Sequence, residues 1–437
     1  MKEMKNSGIE WIGKIPIEWT ICRFKNIANI YNGNSIKDED KEKYEDANDA
    51  IPYIATKDVD VTFQTIAYDN GMYVKKDDTG FKRAPKNSTL LCIEGGSAGK
   101  KIAFTNQDVC FINKLCCFYS ESICNKFLFY YMLSPAFAVE FKNHLSGLIG
   151  GVSISEIKDF SIVLPKNEEQ QKIASFLDRK CAEIDAVIDK TKATIEEYKK
   201  LKQSVITEAV TKGIRGDRPM KDSGIECIGE IPKSFSKYRI KNIGEIFGRI
   251  GFRGYTTDDL VEEGNGAITL SPSNLKDMTM NYSKLSYLSW EKYEESPEIK
   301  IYDGDILMVK TGSSYGKTAL VTDLPLESTI NPQLVVIKNI SIDSKFLLYC
   351  FQTPYFLDQV ENAVVGGTIP TMSQEKINNF FVFVPELKEQ KEIAEYLDEK
   401  CAEIDTLIAK KTALLEEIES YKKSVIYEYV TGKKEVR

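Results

Sequence analysis

Along this chain the spacing of apolar residues changes character and then repeats the change. Up to about residue 165 the apolar residues come in short runs, such as "AIPYIATKDVDV" and "STLLCIEGG", broken by Gly, Asn and Pro. That pattern predicts short strands joined by polar turns, followed by helices over "NKFLFYYMLSPAFAVEFKNHL". From Glu168 to Thr211 there is no Pro or Gly. Ile173, Leu177, Cys181, Ile184, Ile188, Ile195, Tyr198 and Val205 recur there at steps of three and four, with charges between them. An apolar seam of that period predicts one long helix packed in a coiled coil. At ~1.5 Å per residue such a run makes a rod of roughly 65 Å. A one-sided helix of that length needs a partner.

The partner is supplied by an internal repeat. "MKNSGIEWIGKIP" (Met4–Pro16) reappears as "MKDSGIECIGEIP" (Met220–Pro232), and "FKNIANI" (Phe24–Ile30) as "IKNIGEI" (Ile240–Ile246). "IASFLDRKCAEID" (Ile173–Asp185) reappears as "IAEYLDEKCAEID" (Ile393–Asp405). A second seam follows, through Ile393, Leu397, Cys401, Ile404, Ile408, Leu415, Ile418 and Val425. The chain therefore divides into residues 1–165, 166–213, 214–385 and 386–437, a mixed α/β domain and a long helix, each present twice. The expected class is α+β with an internal duplication. Cys181 and Cys401 hold equivalent seam positions, where a thiol acts as a small apolar knob.

Composition narrows the function. The chain has 437 residues, 42% hydrophobic and 28% charged, as expected of a globular protein with several domains. No apolar run approaches the roughly 20 residues of a membrane span, and the first residues lack the apolar core of a secretory signal. A cytoplasmic location, no membrane partner and ten reduced Cys follow as expectations. No CxxC pair occurs and His144 is the only His, so neither a zinc site nor His-based catalysis is expected. His144 itself, in "FKNHLSG", reads as a helix-end residue. The net charge of −7 does not suggest a nucleic-acid binder. Locally, however, Lys233, Lys237, Arg239, Lys241, Arg249 and Arg253 share a stretch with one acid, Glu245. Lys75, Lys76, Lys82, Arg83 and Lys86 form a smaller patch. Such patches on neutral domains suit a reader that grips a short duplex beside more basic subunits.

One stretch raises a competing idea. "VKTGSSYGKTALV" (Val309–Val321) runs from an apolar segment through Gly312 and Gly316-Lys317-Thr318 into another apolar segment, which suggests a phosphate cradle. A P-loop needs four residues between its first Gly and its Gly-Lys pair. Here only Ser313, Ser314 and Tyr315 intervene. The counterpart in the first copy, "CIEGGSAGKKIAF" (Cys92–Phe104), places Lys101 where Ser or Thr would hold Mg²⁺. A strand–turn–strand unit is the expectation for both, and a DNA phosphate suits these loops better than ATP. "INPQLVV" (Ile330–Val336) has Gln333 and Leu334 where an amino-methyltransferase motif needs Pro and an aromatic residue.

Taken together, the features resemble the specificity (S) subunit of type I restriction–modification systems. The motifs are the repeated "SGIEWIGKIPIEW" and "SGIECIGEIPKSF", "GRIGFRGYTTDDL", "DGDILMVKTGSSYGKTAL", and the helix-opening "PKNEEQQKIASFLDRKCAEID" and "PELKEQKEIAEYLDEKCAEID". The resemblance implies two target-recognition domains, each reading one half of a bipartite, asymmetric DNA site. It implies an antiparallel pair of spacer helices that sets the half-site separation. It implies double-stranded DNA, two modification (methyltransferase) subunits and restriction (translocase–nuclease) subunits as partners. S-adenosylmethionine, ATP and Mg would bind those partners, leaving no cofactor and no catalytic residue in this chain. A recognition subunit of a fused type IIB-like enzyme is the nearest alternative, and a P-loop NTPase a more distant one.

DNA contacts are expected from loops, where Arg and Lys pair with guanine, Asn and Gln with adenine, and Ser, Tyr and Lys with phosphate. The candidates in the second domain are Arg249, Arg253, Tyr255, Asn274, Ser314, Tyr315 and Lys317. In the first they are Asn34, Lys57, Lys82, Arg83, Ser97, Lys100 and Lys101. Ile173, Leu177, Ile184, Ile188, Ile393, Leu397, Ile404 and Ile408 are expected to pack the helix seam.

Overall fold

The short apolar runs of the first mixed segment pair into two four-stranded sheets. The computed structural model describes residues 3–146, 150–249, 251, 254–365 and 369–436. One sheet is wholly antiparallel, in the order Asn29–Asn32, Leu115–Tyr119, Thr89–Cys92, Ile102–Phe104. The other runs Tyr73–Lys75, Ala50–Ile54, Val109–Phe111, Arg83–Ala84, with a parallel pair at its centre. The faces between them are filled by Ile54, Leu90, Cys92, Val109, Phe111 and Leu115, all of them buried. Buried aromatic helices, Asn125–Leu133 and Pro135–Asn143, cover the other face of the antiparallel sheet. His144 follows the second of these, its ring Nδ1 2.9 Å from the Glu140 carbonyl, the helix-end position expected of it.

The second mixed segment repeats this plan. Glu245–Gly248, Leu334–Lys338, Ile306–Val309 and Thr318–Leu320 form the antiparallel sheet. Leu260–Val261, Tyr287–Ser289, Gly266–Leu270 and Ser328–Ile330 form the mixed one. In both copies an early strand pairs with the strand that leads to the long helix: Thr20–Arg23 with Ser161–Leu164, and Ser236–Arg239 with Phe381–Val384.

The long helices run Asn167–Lys212 and Leu387–Val430. The chain compacts into two units that cut across them: Met1–Ala193 with Lys411–Arg437, and Thr194–Lys410. Each unit thus holds one mixed domain and a piece of both helices. In the first unit the Phe176 and Tyr429 rings pack at a tilt, their centres 4.4 Å apart, and Asp185 pairs with Lys422 at 2.7 Å. In the second, Lys202 pairs with Asp405 at 2.6 Å, Arg215 with Glu392 at 2.6 Å and Arg218 with Glu389 at 2.5 Å. In each unit partners advance along the first helix, and the residues just after it, as they retreat along the second, so the helices pair antiparallel within each unit. Asp185–Lys422 and Lys202–Asp405 are one ion pair made twice, with donor and acceptor exchanged between the helices.

The seam residues divide by position. Ile184, Ile188 and Ile404 are buried and Ile408 is half-buried. Ile173 and Leu177 lie in one core with the aromatic helices of the first domain and with Val425, Ile426 and Val430 of the second long helix. Ile393 and Leu397 share the core of the second domain with Ile206 and Val210. The ends of the rods are therefore walls of the domains as well as partners of each other. No described helix is long and apolar enough to cross a membrane, and all ten Cys are free thiols.

The root of each long helix is fixed by one buried glutamine. Gln170 Oε1 accepts from the Cys124 amide at 2.9 Å and its Nε2 donates to the Pro165 carbonyl at 2.9 Å. Gln390 makes the same two bonds with Asp343 and Pro385, both at 2.8 Å. Tyr130 OH then donates to Asp178 at 2.6 Å, and Tyr349 OH to Asp398 at 2.8 Å.

Candidate nucleic-acid interface

The two Gly-rich segments are β-hairpins. Thr89–Cys92 pairs antiparallel with Ile102–Phe104, and Ile306–Val309 with Thr318–Leu320. Gly99 N donates to Cys92 O and Gly316 N to Val309 O, each at 2.8 Å. Both glycines have φ in the left-handed region, +73° and +80°. A Cβ would lie 2.6 Å from Phe141 Cδ1 at Gly99 and 2.8 Å from Val360 Cγ1 at Gly316, so no larger residue fits. Four further amides turn inward: Ala98 and Tyr315 donate to Gly95 O and Gly312 O, and Lys100 and Lys317 to Ser97 O and Ser314 O. A phosphate cradle needs those N–H groups aimed outward and a helix after the loop. Here they close the turn and a strand follows. The P-loop alternative fails on both counts.

The candidate residues fall into distinct groups. Lys100 and Lys317 project, exposed, from the same place on the two hairpins; Ser97, Ser314 and Tyr315 lie half-buried beside them. Lys101 turns inward and donates to Thr56 O at 2.5 Å. It thereby shares a hollow with the exposed Lys57. Asn34 and Lys82 meet elsewhere, the Lys82 amide donating to Asn34 Oδ1 at 2.8 Å. Arg83 closes its own loop, donating to the carbonyls of Lys76 and Asp78.

Two candidates of the second domain, Arg249 and Asn274, are interior groups, and a third, Tyr255, is half-buried. Arg249 is 4% exposed; its Nε donates to Ile330 O and its Nη2 to Thr329 Oγ1, both at 3.1 Å. Its guanidinium lies 5.2 Å from the centre of the Tyr255 ring, whose hydroxyl is 3.1 Å from Thr269 Oγ1. Asn274 is 3% exposed and holds a turn together: Oδ1 accepts from Ser271 N at 2.9 Å, and Nδ2 donates to Asn281 O and Lys284 O. Its counterpart Asp58 accepts from Ala55 N at 2.8 Å in the same way. The basic run that nominated Arg249 cannot tell an inward Arg from an outward one. Arg253 lies outside the described residues.

Beside the hairpin of the first domain lies a hollow that sequence reasoning missed. In the first domain Asn32, Ile93, Glu94, Asn113, Gly151 and Ile154 line it. In the second, Gly248 occupies the place of Asn32 at the end of its strand. Lys310 occupies that of Ile93: Ile93 bonds to Lys114 O and receives Val152 N, while Lys310 bonds to Gln333 O and receives Met372 N. Comparing the two copies residue by residue was the signal that could have found these positions.

The family model for the type I restriction modification DNA specificity domain matches residues 16–197 and again 232–419. The chain belongs to that family. Its relatives include the specificity subunit of the type I restriction enzyme MjaVIII from Methanocaldococcus jannaschii, 25% identical over 97% of this chain and 95% of that one. The EcoBI specificity subunit of Escherichia coli is 23% identical over 99% of this chain and 89% of that one. Among solved structures, a chain from a study of complex assembly and conformational transition of the type I R-M system superposes with a TM-score of 0.72. It is 16% identical, covering 96% of this chain and 99% of that one, a likeness of fold. The two matched segments of the specificity family each take in most of one mixed domain and most of its long helix.

Proposed function

We propose that this chain is the address-reading part of a type I restriction–modification complex, each mixed domain reading one half of a bipartite, asymmetric site in double-stranded DNA. The observation that carries the reading is the duplication itself. Two domains share backbone register while differing in side chain at matched surface positions, as two readers of unlike half-sites must. The exposed lysines common to both hairpins, Lys100 and Lys317, suit phosphate, which is the same in every sequence.

The helices supply the spacing and the docking surface. The second exposes Leu407, Leu414 and Tyr421 at seven-residue steps, and the first exposes Val187 and Leu201. A stripe of that period accepts a further helix, and two modification subunits, one per copy, are its natural occupants. Restriction subunits join through them. S-adenosylmethionine, ATP and Mg belong to those partners, and this chain performs no bond chemistry. Its net charge of −7 fits a phosphate grip shared with other subunits.

Reconstitution with the cognate modification subunits and S-adenosylmethionine, followed by mapping of methylated adenines, tests this. The expected product is one motif of two fixed blocks separated by a fixed run of unread bases. A single uninterrupted block, or tight and steeply salt-dependent DNA binding by the isolated chain, overturns it.

A further inference from the structure

The hollow beside the first hairpin and the matched backbone positions of the second domain carry different side chains. In the second domain Gly248 stands in the place of Asn32. A Cβ there would meet Gln374 Nε2 at 2.5 Å and Lys310 Nζ at 3.4 Å, so an ammonium and an amide converge over a residue without a side chain. Both groups are half-buried. Neither makes a side-chain hydrogen bond or ion pair among the described residues. Burial lowers the Lys310 pKa with no nearby acid to oppose it. Two convergent donors without an acceptor ask for a ligand edge carrying two acceptors.

In the first domain the same positions carry Ile93 and Ile154, both apolar. The polar group has moved to the floor, where Asn32 stands in place of Gly248 and accepts from Lys82 Nζ at 3.3 Å. A contact to the DNA backbone has no reason to change between halves of a site. A contact to bases must change when the halves differ.

We propose that these matched positions are base-reading sites, Lys310 and Gln374 taking the O6 and N7 acceptors of a guanine in one half-site, and the Asn32 amide taking an adenine in the other. The pairing follows base-edge chemistry: lysine and paired donors select guanine, and an amide selects adenine. This inference rests on the reading above, that each domain addresses one half of the target.

The test is the reconstituted complex of this chain with its modification subunits, with methylated adenines mapped on a randomised DNA library. Lys310→Met and Gln374→Ala should each relax one guanine position in one half-site, by roughly 10- to 100-fold in preference, leaving the other half unchanged. Asn32→Ala should relax one adenine position in the opposite half. Gln374→Ala, an exchange on a half-buried helix start, guards against a folding defect in Lys310→Met. An unchanged motif with all three variants overturns the proposal. So does a uniform loss of methylation across all sequences, which identifies a phosphate contact. If the unaltered complex yields no two-block motif, the parent reading fails and takes this one with it; a two-block motif insensitive to the variants sinks this one alone.

Discussion

The two recognition domains are alike where they grip the helices and unlike where they face outward. Gln170 and Gln390 make the same pair of bonds to the same two backbone sites. The tyrosine–aspartate bonds match as well. At the strand ends the likeness stops: Gly248 stands where the first domain has Asn32, and Lys310 where it has Ile93. A duplicated fold can afford variation only where side chains do not hold the backbone.

The largest expected effect probes the shared part. Removing Gln170 or Gln390 as Ala leaves a half-buried amide and a buried carbonyl unpaired. Each variant should lose on the order of 3 kcal/mol in urea unfolding, with hydrogen exchange accelerating first around Cys124 or Asp343 respectively. Unequal losses would break the claim that the roots are equivalent.

A smaller effect measures how context changes a copied ion pair. Lys422 is 8% exposed and also donates to Gln64 at 3.2 Å, whereas the side chains of Lys202 and Asp405 are 27% and 53% exposed. Lys422→Met should cost about 2 kcal/mol by stranding Asp185, and Lys202→Met at most about 1 kcal/mol. Thermal unfolding of both variants checks the order, and equal costs would show that burial does not distinguish the pairs.

The smallest effect exchanges one domain's choice for the other's. Glu140 accepts from Ser161 N at 2.9 Å, but its Oε2 is buried without a partner. In the second domain Gln359 makes the equivalent bond to Phe381 N at 2.9 Å and donates its Nε2 to two carbonyls as well. Glu140→Gln should therefore stabilise the chain, by about 1 kcal/mol. Burial raises the Glu140 pKa above the ordinary carboxylate value. Its folded form holds a proton more tightly, so that contribution is complete below the ordinary carboxylate pKa and is lost as pH rises through the raised one. The gain from Glu140→Gln should be greatest at neutral pH and shrink toward about pH 4. A gain independent of pH would mean that the carboxylate charge is not what the exchange removes.

Periodicity carried the architecture well. The seams of Ile, Leu and Cys predicted both long helices, and the repeat predicted that each domain would recur. What it did not carry was the compaction. Ile173 and Leu177 have the spacing of a coiled coil, yet they also line a domain core, because spacing records that a face is covered and not by what. The interface was less legible. Arg249 and Asn274 have the side chains of DNA readers but are held by interior carbonyls and turns. Lys310 and Gln374 lie 64 positions apart in the chain (374 − 310 = 64) and converge only when a strand and a helix start meet over Gly248.

The discontinuous unit also has a consequence in time. The first recognition domain buries Val425, Ile426 and Val430 in its core, and Tyr427 OH donates to the carbonyls of Trp11 and Ile12. Its earliest and latest segments must meet before it is whole. The second unit is one unbroken stretch, Thr194–Lys410. During synthesis the domain made first is thus completed last. Until then it exposes the ground that residues 411–437 will cover, and the burden of chaperoning falls on the half of the molecule that leaves the ribosome earliest.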